Sequence, residues 1–134
     1  GLGVDGSASN DAGNLVAEAR QAMLLQRVLR GADAMSPMEA LEIATRGGAD
    51  VLGRPECGRL EVGARGDLAI WDVSGVASAG SWDPAALLLA GPTMVRDLFV
   101  EGRLVVRDGH IVTFDLQTAV RRQNALARAL SEDT

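Results

Sequence analysis

The chain opens with Gly1-Leu-Gly-Val-Asp5-Gly-Ser-Ala-Ser-Asn10-Asp-Ala-Gly-Asn14, and this stretch decides the interpretation of the fold. An apolar segment of small residues runs into the carboxylate of Asp5 and then into a polar loop. In a (β/α)8 barrel, catalytic groups lie at the carboxyl ends of buried strands, ahead of the βα loops. The stretch therefore predicts a barrel strand that ends at Asp5, although Asp5-Gly6 alone is equally typical of a simple turn.

Several segments of the chain together resemble the metal-dependent amidohydrolase superfamily. They are GLGVDGSASND with the following NLVAEARQAMLLQRV, then SPMEALEIATRGGADVLGR, RLEVGARGDLAIWDV and VEGRLVVRDGHIV, and they cover nearly the whole chain in family order. The last two segments are typical of many amidohydrolases. The Asp5 loop is more specific: it is similar to the branch that deaminates or dechlorinates amino-heterocycles, and within that branch to the 8-oxoguanine deaminases.

The resemblance implies an α/β fold, the C-terminal part of a (β/α)8-barrel enzyme. A complete barrel needs about 250 residues, whereas this chain has 134 and starts without methionine, so we expect a fragment of a larger enzyme. Residues 1–56 are expected to hold the last barrel strand, the last barrel helix and the helix that follows. Residues 57–114 are expected to form the C-terminal part of a β-sandwich with a small antiparallel sheet, and residues 115–134 a C-terminal helix.

Local signals predict the individual elements. Asn14, with Asp11 before it, caps a helix that ends at Gly31 and whose apolar face carries Leu15, Ala19, Ala22, Leu25 and Leu29. Ser36-Pro37-Met38-Glu39 is a capping box that starts a second helix, which runs to Gly47-Gly48 and is followed by a short helical piece over residues 49–52. Strands are predicted over residues 60–63, 67–73, 95–100, 103–107 and 110–114, with tight turns at Glu101-Gly102 and Asp108-Gly109. Residues 83–90 are predicted to form a helical turn, and residues 116–130 a terminal helix.

Composition excludes several classes of partner. The net charge of −5 argues against binding a nucleic-acid backbone, which requires clustered Lys and Arg. The longest apolar run, residues 85–90, is far shorter than the roughly 20 residues of a membrane span. The single cysteine, Cys57, excludes an internal disulfide and suits a reducing compartment, so we predict a cytoplasmic protein.

Hydrolytic deamination of a ring carbon needs an activated water and a group that moves its proton. The resemblance assigns both relevant roles to Asp5, as a ligand of one divalent metal, with zinc favoured, and as the proton shuttle. The family's other metal ligands, mostly histidines from earlier strands, have no counterpart here. Ser7, Ser9 and Asn10 are candidates for substrate contact, with hydrogen bonding within the loop as the alternative.

The remaining candidates for chemistry are weaker. His110, the sole histidine, follows a predicted turn, and a zinc site needs three or four convergent ligands. Cys57 has no second cysteine with which to form a metal pair. The H-x-E and P-C-x-x-C signature of cytidine deaminases is absent, which excludes that unrelated fold.

The sequence thus predicts the C-terminal part of a hydrolase acting on C–N bonds, a metal-dependent deaminase with 8-oxoguanine as its favoured substrate. The alternative substrate is a triazine or another amino-heterocycle, hydrolysed or dechlorinated. An alternative of another class is a non-catalytic structural module, inactive by itself, whose partner is the remainder of its own polypeptide. No nucleic-acid or membrane partner is expected, and homo-oligomerisation is left open.

Overall fold

The computed structural model describes residues 1–10 and 12–132, so the predicted contribution of Asp11 to the first helix cap lies outside the described residues. Within these described residues, five α-helices and four β-strands follow in chain order. They are α1 (Leu15–Arg30), α2 (Pro37–Ala44), α3 (Arg46–Val51), β1 (Leu68–Asp72), α4 (Pro84–Ala90), β2 (Met94–Val100), β3 (Arg103–Arg107), β4 (His110–Ile111) and α5 (Leu116–Glu132). A short 3-10 turn, Val76–Ser78, lies between β1 and α4.

The strand predicted to end at Asp5 is not formed among the residues that the structure describes. Leu2 and Val4 are half-buried between exposed neighbours, so side chains alternate as they would in a strand. A strand also needs a hydrogen-bonded neighbour, and none of the four described strands pairs with this segment. It lies instead against α3, where an ideal Cβ on Gly1 would be 3.0 Å from the Cα of Gly48.

Both predicted ends of helix α1 are confirmed, but only part of its predicted apolar face is buried. The Asn14 side chain accepts hydrogen bonds from the first turn, and Gly31 ends the helix with a φ of 107°. Ala19 is fully buried, as expected, whereas Leu25 and Leu29 are 51% and 74% exposed. Met23, one turn after Ala19, occupies the core instead, because α2 and α4 pack on the side that these two residues share.

Helix α2 begins at the predicted capping box but ends earlier than expected. The Ser36 hydroxyl accepts from the Glu39 amide, and the Glu39 carboxylate accepts from the Ser36 amide. The break falls at Thr45, and Gly47-Gly48 lies inside α3, so the predicted junction is wrong. The Thr45 hydroxyl donates to the Leu41 carbonyl at 2.7 Å, a local bond that competes with regular helix geometry.

The capping box predicts an acid-sensitive contribution to stability. Hydrogen bonds from the Ser36 amide and hydroxyl lower the pKa of Glu39 below its usual value of 4.5. A lowered pKa in the folded state stabilises the fold above that usual value and ceases to do so as pH falls through the lowered one. We expect the wild type to lose thermal stability relative to Glu39→Gln between about pH 5 and pH 3. Melting temperatures of both proteins across this range test it, and a constant difference would contradict it.

The four strands form one antiparallel sheet in the order β1-β2-β3-β4, which confirms the predicted meander. Both predicted turns are confirmed, because each joins consecutive strands through two residues with positive φ. These are Glu101 and Gly102 at 50° and 76°, and Asp108 and Gly109 at 48° and 75°. This is the geometry of a type I′ turn, whose twist matches that of the flanking strands.

Two further predicted strands are wrong, one entirely and one in part. Residues 60–63 lie in a loop in which Leu60 and Val62 are exposed, and the Ala64 amide donates to the Glu61 carbonyl at 3.1 Å to close a turn. The apolar residues alternate there as in a strand, but none of the described strands pairs with this segment. The strand predicted over residues 110–114 is reduced to His110–Ile111. Asp115 instead accepts from the Thr118 hydroxyl and amide, which lowers the pKa of Asp115 and stabilises the start of α5.

The helical core is small and much apolar surface is exposed. Ala19, Met23, Ala40 and Leu89 form the core cluster between α1, α2 and α4. The accessible surface is 9886 Å², whereas a folded monomer of 14.0 kDa is expected to expose about 6,700 Å². Every residue of α5 is exposed, including the apolar Leu116, Val120 and Leu126 along one side of the helix.

No helix in the described part of the chain has the length and apolar character needed to cross a bilayer.

Candidate active site

Asp5 occupies a strained and accessible position at the start of the first loop. Its φ is +61°, in the left-handed region that Asp adopts more readily than most residues. The side chain is exposed, and its Oδ1 accepts a hydrogen bond from the Gly6 amide at 2.8 Å. Its Oδ2 makes no hydrogen bond to another described residue. One carboxylate oxygen is therefore held by the backbone while the other remains available.

A tight turn follows directly. The Gly6 carbonyl accepts from the amides of Ser9 and Asn10 at 2.9 and 3.0 Å. Ser7 and Ser9 are exposed, and within the described part of the chain their hydroxyls form no hydrogen bond. Their predicted contact with substrate stays a prediction, and the structure leaves both hydroxyls accessible for it.

Asn10 differs from the two serines because its side chain is already engaged. Its Nδ2 donates to Oε1 of Glu18 at 2.6 Å, and its Oδ1 accepts from the Ala12 amide at 3.2 Å. Asn10 is also half-buried. These bonds support the alternative in which Asn10 satisfies the loop itself. The sequence gives no local signal for the contact with Glu18, because Glu18 lies eight positions along the chain from Asn10.

The other two candidates lie in separate parts of the fold. His110 is exposed on β4, and its Nδ1 donates to the Asp108 carbonyl at 2.7 Å. Cys57 is a half-buried free thiol in the loop between α3 and β1. Among the described residues, no group of three or more His, Cys, Asp or Glu side chains could hold a metal ion. Asp5 is thus not joined by further ligands from the described residues.

A cavity of about 580 Å³ between α1, α2 and β1 is a geometric alternative to the Asp5 loop. Its walls include Leu41, Ala44, Trp71 and Leu88, and none of the described residues that line it is ionisable. Proton transfer needs a titratable side chain within hydrogen-bond reach of the substrate. The cavity therefore offers apolar contact but no acid–base chemistry, and Asp5 remains the stronger candidate.

Comparison with known proteins places these features in a family. The profile described as "Amidohydrolase family" matches residues 1–105. The chain is 46% identical over 131 residues to 8-oxoguanine deaminase of Pseudomonas aeruginosa, and the match covers 97% of this chain and 29% of that protein. It is 39% identical over 136 residues to 5-methylthioadenosine/S-adenosylhomocysteine deaminase of Desulforudis audaxviator, with 98% and 32% covered.

The fold is similar to that of a solved relative as well. The crystal structure of atrazine chlorohydrolase from Arthrobacter aurescens TC1, complexed with zinc, superimposes with a TM-score of 0.83 at 38% identity, covering 90% of this chain and 28% of that one. The chain thus spans about 30% of the length of the proteins that it matches. The profile match covers more than three quarters of its residues, and this chain belongs to the amidohydrolase family.

Proposed function

We propose that this chain is the C-terminal part of a metal-dependent aminohydrolase that deaminates a purine-like heterocycle, with 8-oxoguanine as the first substrate to test. The observation that carries the proposal is the 46% identity to an 8-oxoguanine deaminase over 97% of this chain, a match that includes nearly all of its residues. The accessible carboxylate of Asp5 supplies a group with suitable chemistry.

The proposed setting for Asp5 is the mouth of a (β/α)8 barrel. In that setting residues 1–4 would be its last strand, paired with strands outside this chain, and α1 would be its last outer helix. Residues 57–114 would contribute β1 to β4 to a β-sandwich. The half-buried alternation of Leu2 and Val4 supports the strand, since it is the side-chain pattern that strand pairing would preserve.

The metal proposed for the site is zinc. A carboxylate oxygen is a normal zinc ligand, but a catalytic zinc site usually has three protein ligands. The described residues bring no other two together, so Asp5 fits as one ligand of a shared site and the others would come from protein outside this chain. When bound, zinc would act as a Lewis acid that lowers the pKa of water toward about 7.

Within this proposal, Asp5 moves the proton. Its uncommitted oxygen would accept a proton from the attacking water as the new C–O bond forms at the ring carbon. It would then return that proton to the amino group as the C–N bond breaks and ammonia leaves. The Gly6 amide, 2.8 Å from Oδ1, would hold the plane of the carboxylate while Oδ2 accepts and returns the proton. Ser7 and Ser9 would offer hydroxyls to the polar edge of the heterocycle.

A second substrate class has its own support. The chain is similar to an atrazine chlorohydrolase in structure and 35% identical to hydroxydechloroatrazine ethylaminohydrolase of a Pseudomonas strain. These proteins' names state action on triazines, whose ring carbons carry amino or chloro leaving groups. The same acid–base role of Asp5 would serve either ring, because water replaces the leaving group in both cases.

The partner proposed for this chain is the remainder of its own polypeptide. Val28 and Leu29 of α1 are 83% and 74% exposed, and the total surface exceeds that expected for its mass by roughly 3,000 Å². An interface that covered this excess would be at least as large as obligate interfaces, which bury about 2,000–5,000 Å² counted over both partners. The chain by itself would then be a non-catalytic structural module, which is compatible with an enzymatic role of the whole protein.

Ammonia release by the protein expressed from its complete reading frame tests the proposal. We expect release from 8-oxoguanine to exceed that from guanine, from 5-methylthioadenosine and from an amino-triazine. The single carboxylate variant Asp5→Asn is the internal control for the reaction. Release from the triazine but not from 8-oxoguanine would support the proposed deamination reaction and reject 8-oxoguanine as its substrate. The absence of release from every heterocycle in the panel would overturn the proposed function.

A further inference from the structure

Among the described residues, the side chain of Asn10 connects the loop that carries Asp5 to α1. The backbone amide of Asn10 closes the turn onto the Gly6 carbonyl at 3.0 Å. Its Nδ2 donates to Glu18, one turn inside α1, and its Oδ1 holds the Ala12 amide. Three hydrogen bonds from one residue thus connect the turn after Asp5, the segment leading to the helix, and the helix itself.

The distances rank these contacts. The Asn10–Glu18 bond is 2.6 Å long and partly buried, whereas the Ala12 contact is 3.2 Å long and exposed. A bond between an amide donor and a carboxylate is about twice as strong as one between neutral groups. Glu18 is itself fixed on a helix whose first turn is capped by Asn14. The rigid end of the connection is therefore α1, and the end that it holds in place is the turn beside Asp5.

The strain at Asp5 makes such support necessary. A non-glycine residue with φ of +61° is strained, and such a conformation persists only where the surroundings impose it. The imposing contacts in the described structure are the Asp5–Gly6 bond and the turn that Asn10 closes. Loss of the connection to Glu18 would allow the turn to shift, and the Asp5 carboxylate would shift with it.

We propose that Asn10 and Glu18 form a positioning pair that sets the orientation of the Asp5 carboxylate, and that Asn10 is not a substrate ligand. The inference rests on the proposed function, since it assigns the pair a consequence for proton transfer by Asp5. A misplacement of about 1 Å can lower a rate by about 100-fold. The pair therefore acts on turnover through Asp5, while substrate affinity depends on other groups.

A reversal of the hydrogen bond separates positioning from substrate contact. Asn10→Asp removes the donor and sets two carboxylates against each other. Asn10→Asp combined with Glu18→Gln restores one bond, now donated by the glutamine amide, and keeps an oxygen for the Ala12 amide. In the protein expressed from its complete reading frame, we expect Asn10→Asp to lower kcat by about 10- to 100-fold with KM unchanged. The double variant should recover to within about threefold of wild type.

Hydrogen exchange supplies a readout that does not require turnover. Peptides covering residues 5–13 should exchange faster in Asn10→Asp, and the double variant should regain protection. The matched control is Asn124→Asp with Glu42→Gln, which makes the same chemical changes at two exposed side chains elsewhere; it should alter neither readout.

The two readouts also separate this inference from the proposed function. Equal losses of kcat in the single and double variants, or a raised KM with kcat unchanged, would overturn the positioning role. Exchange in residues 5–13 that is the same in all variants would overturn it too. A wild-type protein inactive on every heterocycle would reject the proposed function, and the exchange rates alone would then decide whether the pair holds the loop.

Discussion

Turnover should fall by at least about 10²- to 10⁴-fold when Asp5 is replaced by Asn, the range in which general acid–base groups contribute. The amide keeps the shape of the carboxylate and an oxygen that can accept the Gly6 hydrogen bond at 2.8 Å. It cannot accept the proton of water or return it to the leaving amine. Loss of a metal ligand would add to the effect. Steady-state rates of ammonia release by the protein from the complete reading frame give the measurement.

Two substitutions control for general damage by mutation. His110→Ala and Cys57→Ala alter residues of β4 and of the α3–β1 loop, outside the Asp5 turn. Each should change turnover by less than about threefold, which corresponds to less than about 0.7 kcal/mol in the barrier. An Asp5→Asn protein with near-normal turnover would remove the catalytic role, whatever the substrate proves to be.

The largest loss of stability is expected from Gly58→Ala. Gly58 has a φ of +74°, and a Cβ there would lie 2.8 Å from the carbonyl oxygen of Thr45 and 2.9 Å from its carbonyl carbon. Both are backbone atoms at the break between α2 and α3, so no flexible side chain can yield. Left-handed strain of about 1–2 kcal/mol and overpacking of about 1–3 kcal/mol together predict roughly 2–5 kcal/mol of destabilisation.

Gly53→Ala separates the two causes. Gly53 has a similar φ of +63°, but a Cβ there would have no atom within 4 Å. This control should cost only the backbone strain, about 1–2 kcal/mol. The midpoints of urea unfolding for the wild type and both variants provide the comparison. Equal shifts for Gly53→Ala and Gly58→Ala would show that the contact with Thr45 contributes nothing.

Features encoded by a few neighbouring residues could be predicted from the sequence. The caps at Asn14 and Ser36 and the turns at Gly102 and Gly109 are confirmed, because each depends on hydrogen bonds or φ values within about four residues. The order of the helices and the antiparallel meander could be predicted from these helix caps and turns. Membership of the amidohydrolase family was likewise accessible, since the resembling segments extend along nearly the whole chain.

Features that depend on distant packing could not be predicted in this way. The burial of Met23 in place of Leu25 is decided by where α2 and α4 lie. The alternating residues 60–63 lie in a loop, because none of the described strands pairs with them. At the candidate site, the type and position of the residue made Asp5 a candidate, which stays a prediction, whereas the contact between Asn10 and Glu18 spans the loop and a helical turn. No local pattern contains that contact.

Helix α5 is exposed along its whole length, so its stability depends on whether its apolar residues are covered. Nucleation of an isolated helix is unfavourable, and helices shorter than about 12–15 residues are marginal in water. The 17 residues of α5 bury none of their side chains, so the helix is supported by intrinsic propensity and by the Asp115 hydrogen bonds at its start. We therefore expect its helix–coil equilibrium to depend little on the sheet, and the segment to melt gradually on warming. Covering Leu116, Val120 and Leu126 would make that melting cooperative, so the helicity of this segment is a gauge of whether its apolar side is covered.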